Sequence, residues 1–404
     1  MHEREVTPRR LPRVMEQALC LNDFEPMAER TLPRAIFKYV SGYSEDGATH
    51  RRNLRAFAER AFVPNVLVDV SGVDTTTRLF GVDYASPFGI APMGFSRLVA
   101  PDCDVLFARS AAQAGLPFIL SGASLTRLEE VRQAGPTSWF QAYIPGDEDR
   151  IRPMVERVER AGFDTLVVTV DTAVHGQHEL AARHGFRSPV QPSLDLAWQG
   201  ATRPGWLWRV LLRSFLSGNA PHFENMDAER GPPVFSRTLV RDIGRRAGLS
   251  WTHIERIRKR WTGRLVLKGV MSAADARMAE KAGVDGIIVS NHGGRQIDCA
   301  AGALDLLERI ADQVDGLTVM YDGGVRRGSD VLKAIKLGAR FVFVGRPLLL
   351  AAAAGEKVAL DHALSLMKDD IGRTMALLGI TRLDEFDKVA LLHDGRGTTV
   401  EADA

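Results

Sequence analysis

The short apolar run Ile287-Ile288-Val289 ends in Ser290-Asn291-His292-Gly293-Gly294-Arg295-Gln296-Ile297-Asp298. A buried strand that delivers a histidine and an arginine to one point brings together a base and a cation. That pair can remove a proton from a substrate while holding its negative charge. The glycines carry no side chain, so a flat ligand can approach the backbone closely. Taken alone, His292 would more often be a satisfied core or loop histidine; the rest of the chain reverses that balance.

A base and a cation act together only if something positions them. Eight short apolar runs recur, at 88–95, 116–122, 138–144, 164–171, 264–270, 286–291, 317–324 and 340–346. Their interiors are continuously apolar, as in Thr165-Leu166-Val167-Val168 and Phe341-Val342-Phe343-Val344. Parallel strands buried on both faces read this way. Helical patterns follow at 104–114, 147–161, 272–282 and 329–337, and stop at Gly115, Gly162, Gly283 and Gly338. Eight such units predict an α/β fold, a (β/α)8 TIM barrel over 86–380, rather than an open doubly wound sheet. The fourth and fifth runs are far apart, so 172–248, rich in proline, glycine and arginine, is an insertion after strand four and a lid over the mouth. Residues 1–85, helical near 22–41, form an N-terminal helical cover, and 381–404 a C-terminal tail.

Barrel chemistry sits at the C-terminal ends of strands. Here those ends carry Ala91-Pro92-Met93-Gly94, Ser121, Gln141-Ala142-Tyr143, Thr169-Val170-Asp171, Lys268, Ser290-Asn291-His292, Asp322-Gly323-Gly324 and Gly345-Arg346. Nearly all are polar or glycine, which predicts a catalytic site. Asp171 and His292 close alternate strands and can meet in the mouth, where a carboxylate would fix the imidazole tautomer and favour its charged form. The plainer reading of Asp171 is a cap on the following segment. Asp322-Gly323-Gly324-Val325-Arg326 and Gly345-Arg346 join strands seven and eight to their helices, where glycine amides and arginines can bind a phosphate. Tight turns with surface arginines are the alternative. Lys268 inside a barrel needs an anionic partner, such as a ring that gains negative charge on reduction. No Gly-x-Gly-x-x-Gly follows a strand, which disfavours NAD.

The totals narrow the field. A formal charge of +2 among 404 residues argues against nucleic acid as a partner. Cys20, Cys103 and Cys299 show no metal-ligand spacing, so no metal is expected and the thiols are read as reduced, in a cytoplasmic setting. The opening Met1-His2-Glu3-Arg4-Glu5 does not read as a secretory signal, and no run of apolar residues is long enough to span a membrane.

The motif at 290–298, together with Asp322-Gly323-Gly324-Val325-Arg326-Arg327-Gly328, resembles the FMN-dependent L-2-hydroxy acid oxidases and dehydrogenases, which include glycolate oxidase, L-lactate dehydrogenase and mandelate dehydrogenase. The likeness runs from about residue 32 to 378. It implies FMN in the mouth, its phosphate on Gly323, Gly324, Arg326, Gly345 and Arg346. Pro92, Met93, Gly94, Ser121, Gln141, Thr169, Ser290 and Asp322 would line the flavin and ribityl chain, with Lys268 near the N1/O2 side of the ring. By the same resemblance His292 is the base, paired with Asp171, and Arg295, Tyr143 and Tyr39 hold the substrate. The implied reaction removes a proton and a hydride equivalent from a CHOH carbon beside a carboxylate, by a carbanion or a hydride route.

One segment departs from the pattern. Members of the family usually show Gly-x-Arg-Glu-x-Asp-x-Arg-x-Gly-Phe after strand four, with the first arginine at the substrate. This chain has Gly176-Gln177-His178-Glu179-Leu180-Ala181-Ala182-Arg183-His184-Gly185-Phe186. Histidine is shorter, titrates near neutrality and lacks the bidentate fork. The expectation is a substrate bulkier or differently charged than lactate, against a compensated swap with ordinary activity. Gly94 stands where related oxidases tend to have alanine and dehydrogenases glycine, which favours a dehydrogenase. Residues 203–216, Arg-Pro-Gly-Trp-Leu-Trp-Arg-Val-Leu-Leu-Arg-Ser-Phe-Leu, suit peripheral contact with the inner face of a membrane and a quinone acceptor. A lid helix packed on the barrel or a neighbouring subunit fits equally, and would leave oxygen or another carrier as acceptor. Rival readings are an FMN oxidase of an unusual substrate in biosynthesis, such as an amine or modified peptide, and a flavin-binding protein without hydroxy acid turnover. A phosphate-binding isomerase barrel leaves Lys268 and 290–298 unexplained. By analogy the family suggests a homotetramer.

Overall fold

The structure, a computed structural model, describes residues 12–187, 190–216, 221–235 and 246–393. The chain start, residues 217–220 and 236–245 of the expected insertion, and the end of the expected tail lie outside the described residues.

Eight parallel strands form one sheet: β1 (Phe88–Ile90), β2 (Ile119–Ser121), β3 (Trp139–Ala142), β4 (Thr165–Thr169), β5 (Arg264–Val270), β6 (Gly286–Val289), β7 (Thr318–Asp322) and β8 (Phe341–Val344). From β2 to β8 each pairs with the next, β8 pairs with β1, and a parallel bridge between Ile90 and Phe118 closes the ring. The expected (β/α)8 barrel is therefore the fold, with all eight strands in their expected places. Several are shorter than their apolar runs. The run 88–95 leaves the sheet after Ile90, and Phe95 turns left-handed at φ 60°. Its later residues are buried by packing rather than by a ladder.

Strand alternation decides what faces inward. Ile119, Trp139, Val167, Val266, Ile288, Met320 and Phe343 pack together inside the barrel. Leu166, Val168, Ile287, Val289, Val342 and Val344 face outward into the layer beneath the helices. Continuous apolarity thus hides a strict two-residue alternation between two cores. One further inward step along each strand reaches Ser121, Gln141, Thr169, Lys268, Ser290, Asp322 and Gly345. A polar layer lies directly above an apolar plug. The other end is sealed by the hairpin Thr77–Leu79 and Val82–Tyr84, whose Leu79 and Tyr84 join the inner core.

The outer elements brace this frame. The helix Ala48–Ala58 lies against the turn after β6, where Asn53 and Asn291 exchange two side-chain hydrogen bonds of 2.8 Å. The strand Arg60–Val63 pairs antiparallel with Ala390–His393, joining the two chain ends. In the insertion, helices Glu179–Arg183 and Leu194–Ala201 precede a segment running from Pro204 through a π-helical stretch, Leu207–Leu212, to Leu216. No described helix is long and apolar enough to cross a membrane.

Candidate active site

The polar layer is tightest across β4 to β7. Lys268 Nζ lies 2.8 Å from Asp322 Oδ2 and donates to Ser290 Oγ at 2.9 Å, and all three residues are buried. Burial pushes the Lys268 ammonium down, but Asp322 and then Asp171 outweigh it and hold it above its ordinary value. The lysine therefore keeps its charge inside the barrel.

Above it, Asp171 places both carboxylate oxygens 3.2 Å from His292 Nδ1. Burial pushes the Asp171 carboxyl up, but His292 and Lys268 more than offset this, so it sits below its ordinary value. An ionised Asp171 accepts from Nδ1–H and leaves Nε2 as the proton acceptor. Two backbone features make the pair fit. Gly269 has φ +104°, and a Cβ there would lie 2.6 Å from the Asp171 Cβ, so no side chain is accommodated. His292 itself is left-handed at φ 59°, followed by Gly293 and Gly294 at 64° and 75°. Non-glycine residues avoid this conformation, and it marks a turn held by its surroundings for position rather than comfort.

Arg295 leaves that turn and donates from Nη1 to the carbonyl oxygens of Tyr39 at 2.9 Å and Gly42 at 2.8 Å. Its guanidinium also lies 4.9 Å from the centre of the Tyr39 ring, which stacks on Phe186. Tyr143 is capped in the same way by Arg246, at 4.7 Å. Burial raises the Tyr143 hydroxyl, and Arg246 pulls it partly back. His178 lines the same space. Burial, then the charges of Arg295 and His292, push it down to about 3. The near-neutral titration expected from its residue type does not hold here: the folded site keeps it neutral.

At the opposite end Gly323, Gly324, Arg326, Gly345 and Arg346 converge. Burial lowers both arginines, most strongly Arg346, whose Nη1 lies 3.3 Å from His50 Nδ1. His50 is itself pushed down to about 3 by burial and then by the two arginines. Clustered, desolvated cations of this kind favour an anion. The helix Gly328–Lys336 is capped by its own Asp330, which accepts from the Arg326 and Arg327 amides. The helix beginning at Arg346 is the one whose first turn opens on the cluster.

Between the two ends lies a cavity of about 480 Å³, an ordinary size for a cofactor or small-molecule site. Of the residues singled out in the sequence, Tyr39, Pro92, Met93, Gly94, Tyr143, His178, Lys268, His292, Arg295, Asp322, Gly323, Gly324, Arg326, Gly345 and Arg346 line it. Ser121, Gln141, Thr169, Asp171 and Ser290 stand behind that lining. Gln141 Oε1 accepts from Ser121 Oγ and the Gly122 amide, while its Nε2 and Thr169 Oγ1 are buried with no hydrogen-bond partner among the described residues. Such atoms call for a polar ligand. No described group of histidine, cysteine and carboxylate side chains could hold a metal. Sequence reasoning missed His50 and Arg246, which also line the cavity. Neither lies near a strand end, and only tertiary packing brings them in.

Residues 28–393 match the FMN-dependent dehydrogenase family. The chain is 37% identical over 374 residues to an L-lactate dehydrogenase of Caulobacter vibrioides, covering 91% of this chain and 96% of that protein. It is 36% identical over 387 residues to an L-lactate dehydrogenase of Xanthomonas axonopodis pv. citri, covering 95% and 98%. Among solved structures it resembles the monotopic membrane protein (S)-mandelate dehydrogenase, with TM-score 0.82, 30% identity and coverage of 93% and 99%. A mandelate oxidase structure follows at TM-score 0.78, 31% identity and the same coverage.

Proposed function

Since the chain belongs to the FMN-dependent dehydrogenase family, we propose that it oxidises an L-2-hydroxy acid to the 2-oxo acid with FMN bound in the barrel mouth. The single observation that carries this reading is the His292–Asp171 pair, at 3.2 Å, opening on one cavity with Arg295 and with the cationic cluster of Arg326 and Arg346.

The residues present fit FMN. The Gln141 amide and Thr169 hydroxyl have hydrogen-bonding capacity to spare for a polar ring edge, and Lys268 offers a buried positive charge beside it. Gly323, Gly324, Arg326, Gly345 and Arg346 would hold the phosphate, with Pro92, Met93, Gly94, Ser121, Ser290 and Asp322 around the ring and ribityl chain. FMN held there would supply the oxidising power for a two-electron oxidation of the carbinol carbon. The chain's own residues do the rest. Arg295, with one nitrogen anchored on two carbonyls, presents its remaining donors to the substrate carboxylate. Tyr39 and Tyr143 place the hydroxyl. His292 Nε2 takes the proton the substrate loses, and Asp171 stabilises the resulting imidazolium. Lys268, held charged by Asp322, favours negative charge developing nearby.

An anaerobic visible spectrum tests the reading directly. Flavin bleaching by L-lactate, L-mandelate or a longer 2-hydroxy acid is expected. Flavin that stays oxidised with the whole panel would remove the hydroxy acid and leave the amine, modified-peptide or flavin-binding readings.

The acceptor reading is a dehydrogenase that meets a membrane and reduces a quinone. Trp208, Leu212, Phe215 and Leu216 are exposed, as are Leu194 and Trp198 on the neighbouring helix, while Trp206 is buried and donates to the Leu98 carbonyl. An apolar face pinned to the barrel from beneath suits an interfacial segment. Gly94 favours a dehydrogenase by the family resemblance alone, since packing by itself calls for glycine there: a Cβ would meet the Ala123 Cβ at 2.8 Å. Co-sedimentation with anionic vesicles and faster reoxidation by quinone than by oxygen are expected. A protein that stays in the supernatant and reacts readily with oxygen sinks this part. A homotetramer is the assembly proposed, to be checked by sedimentation.

A further inference from the structure

Resting on the hydroxy-acid reading, we infer that Arg246 is a second substrate-binding guanidinium, closing on the substrate carboxylate together with Arg295. Nothing in the strand-end pattern announces it. Arg246 lies at the end of the insertion, in a short turn at Arg246–Gly248, yet it is only 5% exposed and lines the cavity that holds His292, Arg295 and Tyr143. Its guanidinium carbon lies 4.7 Å from the Tyr143 ring centre, matching Arg295 at 4.9 Å from Tyr39. Each of the two tyrosines that face the cavity therefore carries an arginine on its ring. Stacking fixes the plane of a guanidinium and directs its donors sideways, where a carboxylate can be gripped.

The other charged groups in the mouth leave room for a second guanidinium beside Arg295. Lys268 gives its charge to Asp322 at 2.8 Å, and His292 shares Asp171. Arg295 has already committed Nη1 to two carbonyl oxygens. His178, which is placed to help, is neutral because burial and Arg295 hold its proton affinity down. Arg246 adds a buried guanidinium to this lining, and a carboxylate that sits on Arg295 meets a second charged partner there.

The test titrates the FMN-loaded protein with oxalate, a small dicarboxylate with no C–H bond to oxidise, following the visible flavin spectrum. R246M should weaken oxalate and raise KM for the best 2-hydroxy acid on the order of 10- to 100-fold, with a smaller change in kcat, the scale for losing a charge-assisted hydrogen-bonding partner. R246K should fall between, because it keeps the charge and loses the fork. H178R in the R246M background should recover at least about tenfold of the loss by returning a permanent cation to the mouth. An oxalate Kd within about threefold of wild type in flavin-loaded R246M overturns the inference. So does a wild-type holoprotein that binds no oxalate. If R246M does not retain flavin, R246K decides, and an unchanged Kd there overturns the inference as well. Oxalate binding that depends on Arg246 while no 2-hydroxy acid bleaches the flavin would sink the hydroxy-acid reading and leave the anion clamp standing.

Discussion

At one end of the mouth, Gly323, Gly324 and Arg326 come from the turn after β7, and Gly345 and Arg346 from the turn after β8. At the other end, Tyr39, Tyr143, His178, Arg246 and Arg295 come from five segments scattered along the chain. The first end is compact, local and built from adjoining strand ends. The second depends on the N-terminal cover, the insertion and the β6 turn all docking correctly. On the proposed function the first end holds a phosphate, the same group whatever the substrate, so its cradle can be local and fixed. A substrate varies, and the elements that meet it are those whose sequence can change without disturbing the barrel.

The largest effect should come from His292, the residue proposed as the base. His292→Asn keeps a residue that tolerates φ near +59° and removes the proton acceptor. Turnover of the best 2-hydroxy acid should fall on the order of 10²- to 10⁴-fold, with flavin content unchanged. Steady-state rates and the flavin absorbance ratio measure both. A variant that retains a tenth or more of wild-type turnover would mean that His292 is not the base.

Next is the ion pair beneath the cavity. Lys268→Met leaves Asp322 buried with its cation gone, and breaking a buried pair costs on the order of 3–5 kcal/mol. Denaturant unfolding should show a loss of that size, together with weaker FMN retention. A loss below about 1 kcal/mol would mean that water or rearrangement compensates, and that the polar layer is less rigid than its burial implies.

The contrast between the two ends also governs what could be read from the chain. Lys268, Ser290 and Asp322 were visible because each is a polar residue ending an apolar run, and alternation from Val266, Ile288 and Met320 carries them inward. The glycine-arginine turns after β7 and β8 were visible for the same local reason. Arg246 and His50 were not, since no periodicity links an insertion turn or a cover helix to a strand end. The ladder between Arg60–Val63 and Ala390–His393 escaped because it joins opposite ends of the chain. The run 88–95 reads as one strand because apolar residues continue after the sheet stops, and burial by packing looks the same in sequence as burial by a ladder. His178 lines the cavity, but its residue type does not set its charge there. Residue type gives the ordinary titration, whereas burial and the charge of Arg295 set the actual one.

The smallest expected effect separates the ends by acid. His50 at the phosphate end and His178 at the substrate end are both pushed from 6.5 to about 3. A histidine lowered on folding takes up its proton more readily when unfolded. Its contribution is therefore present above the unfolded value near 6.5 and is lost progressively as pH falls toward about 3. At pH 5 each should account for on the order of 1–2 kcal/mol of the lost stability. Thermal melts between pH 7 and pH 5 should flatten in H50N and in H178N relative to wild type. Loading with FMN should then split the two. A phosphate beside His50 favours its charged form and shrinks its share of the acid loss, whereas His178 lies at the far end and keeps its share. If FMN instead flattens the H50N melts as much as the wild-type melts, His50 does not face the phosphate, and the assignment of the cationic cluster to that group fails with it.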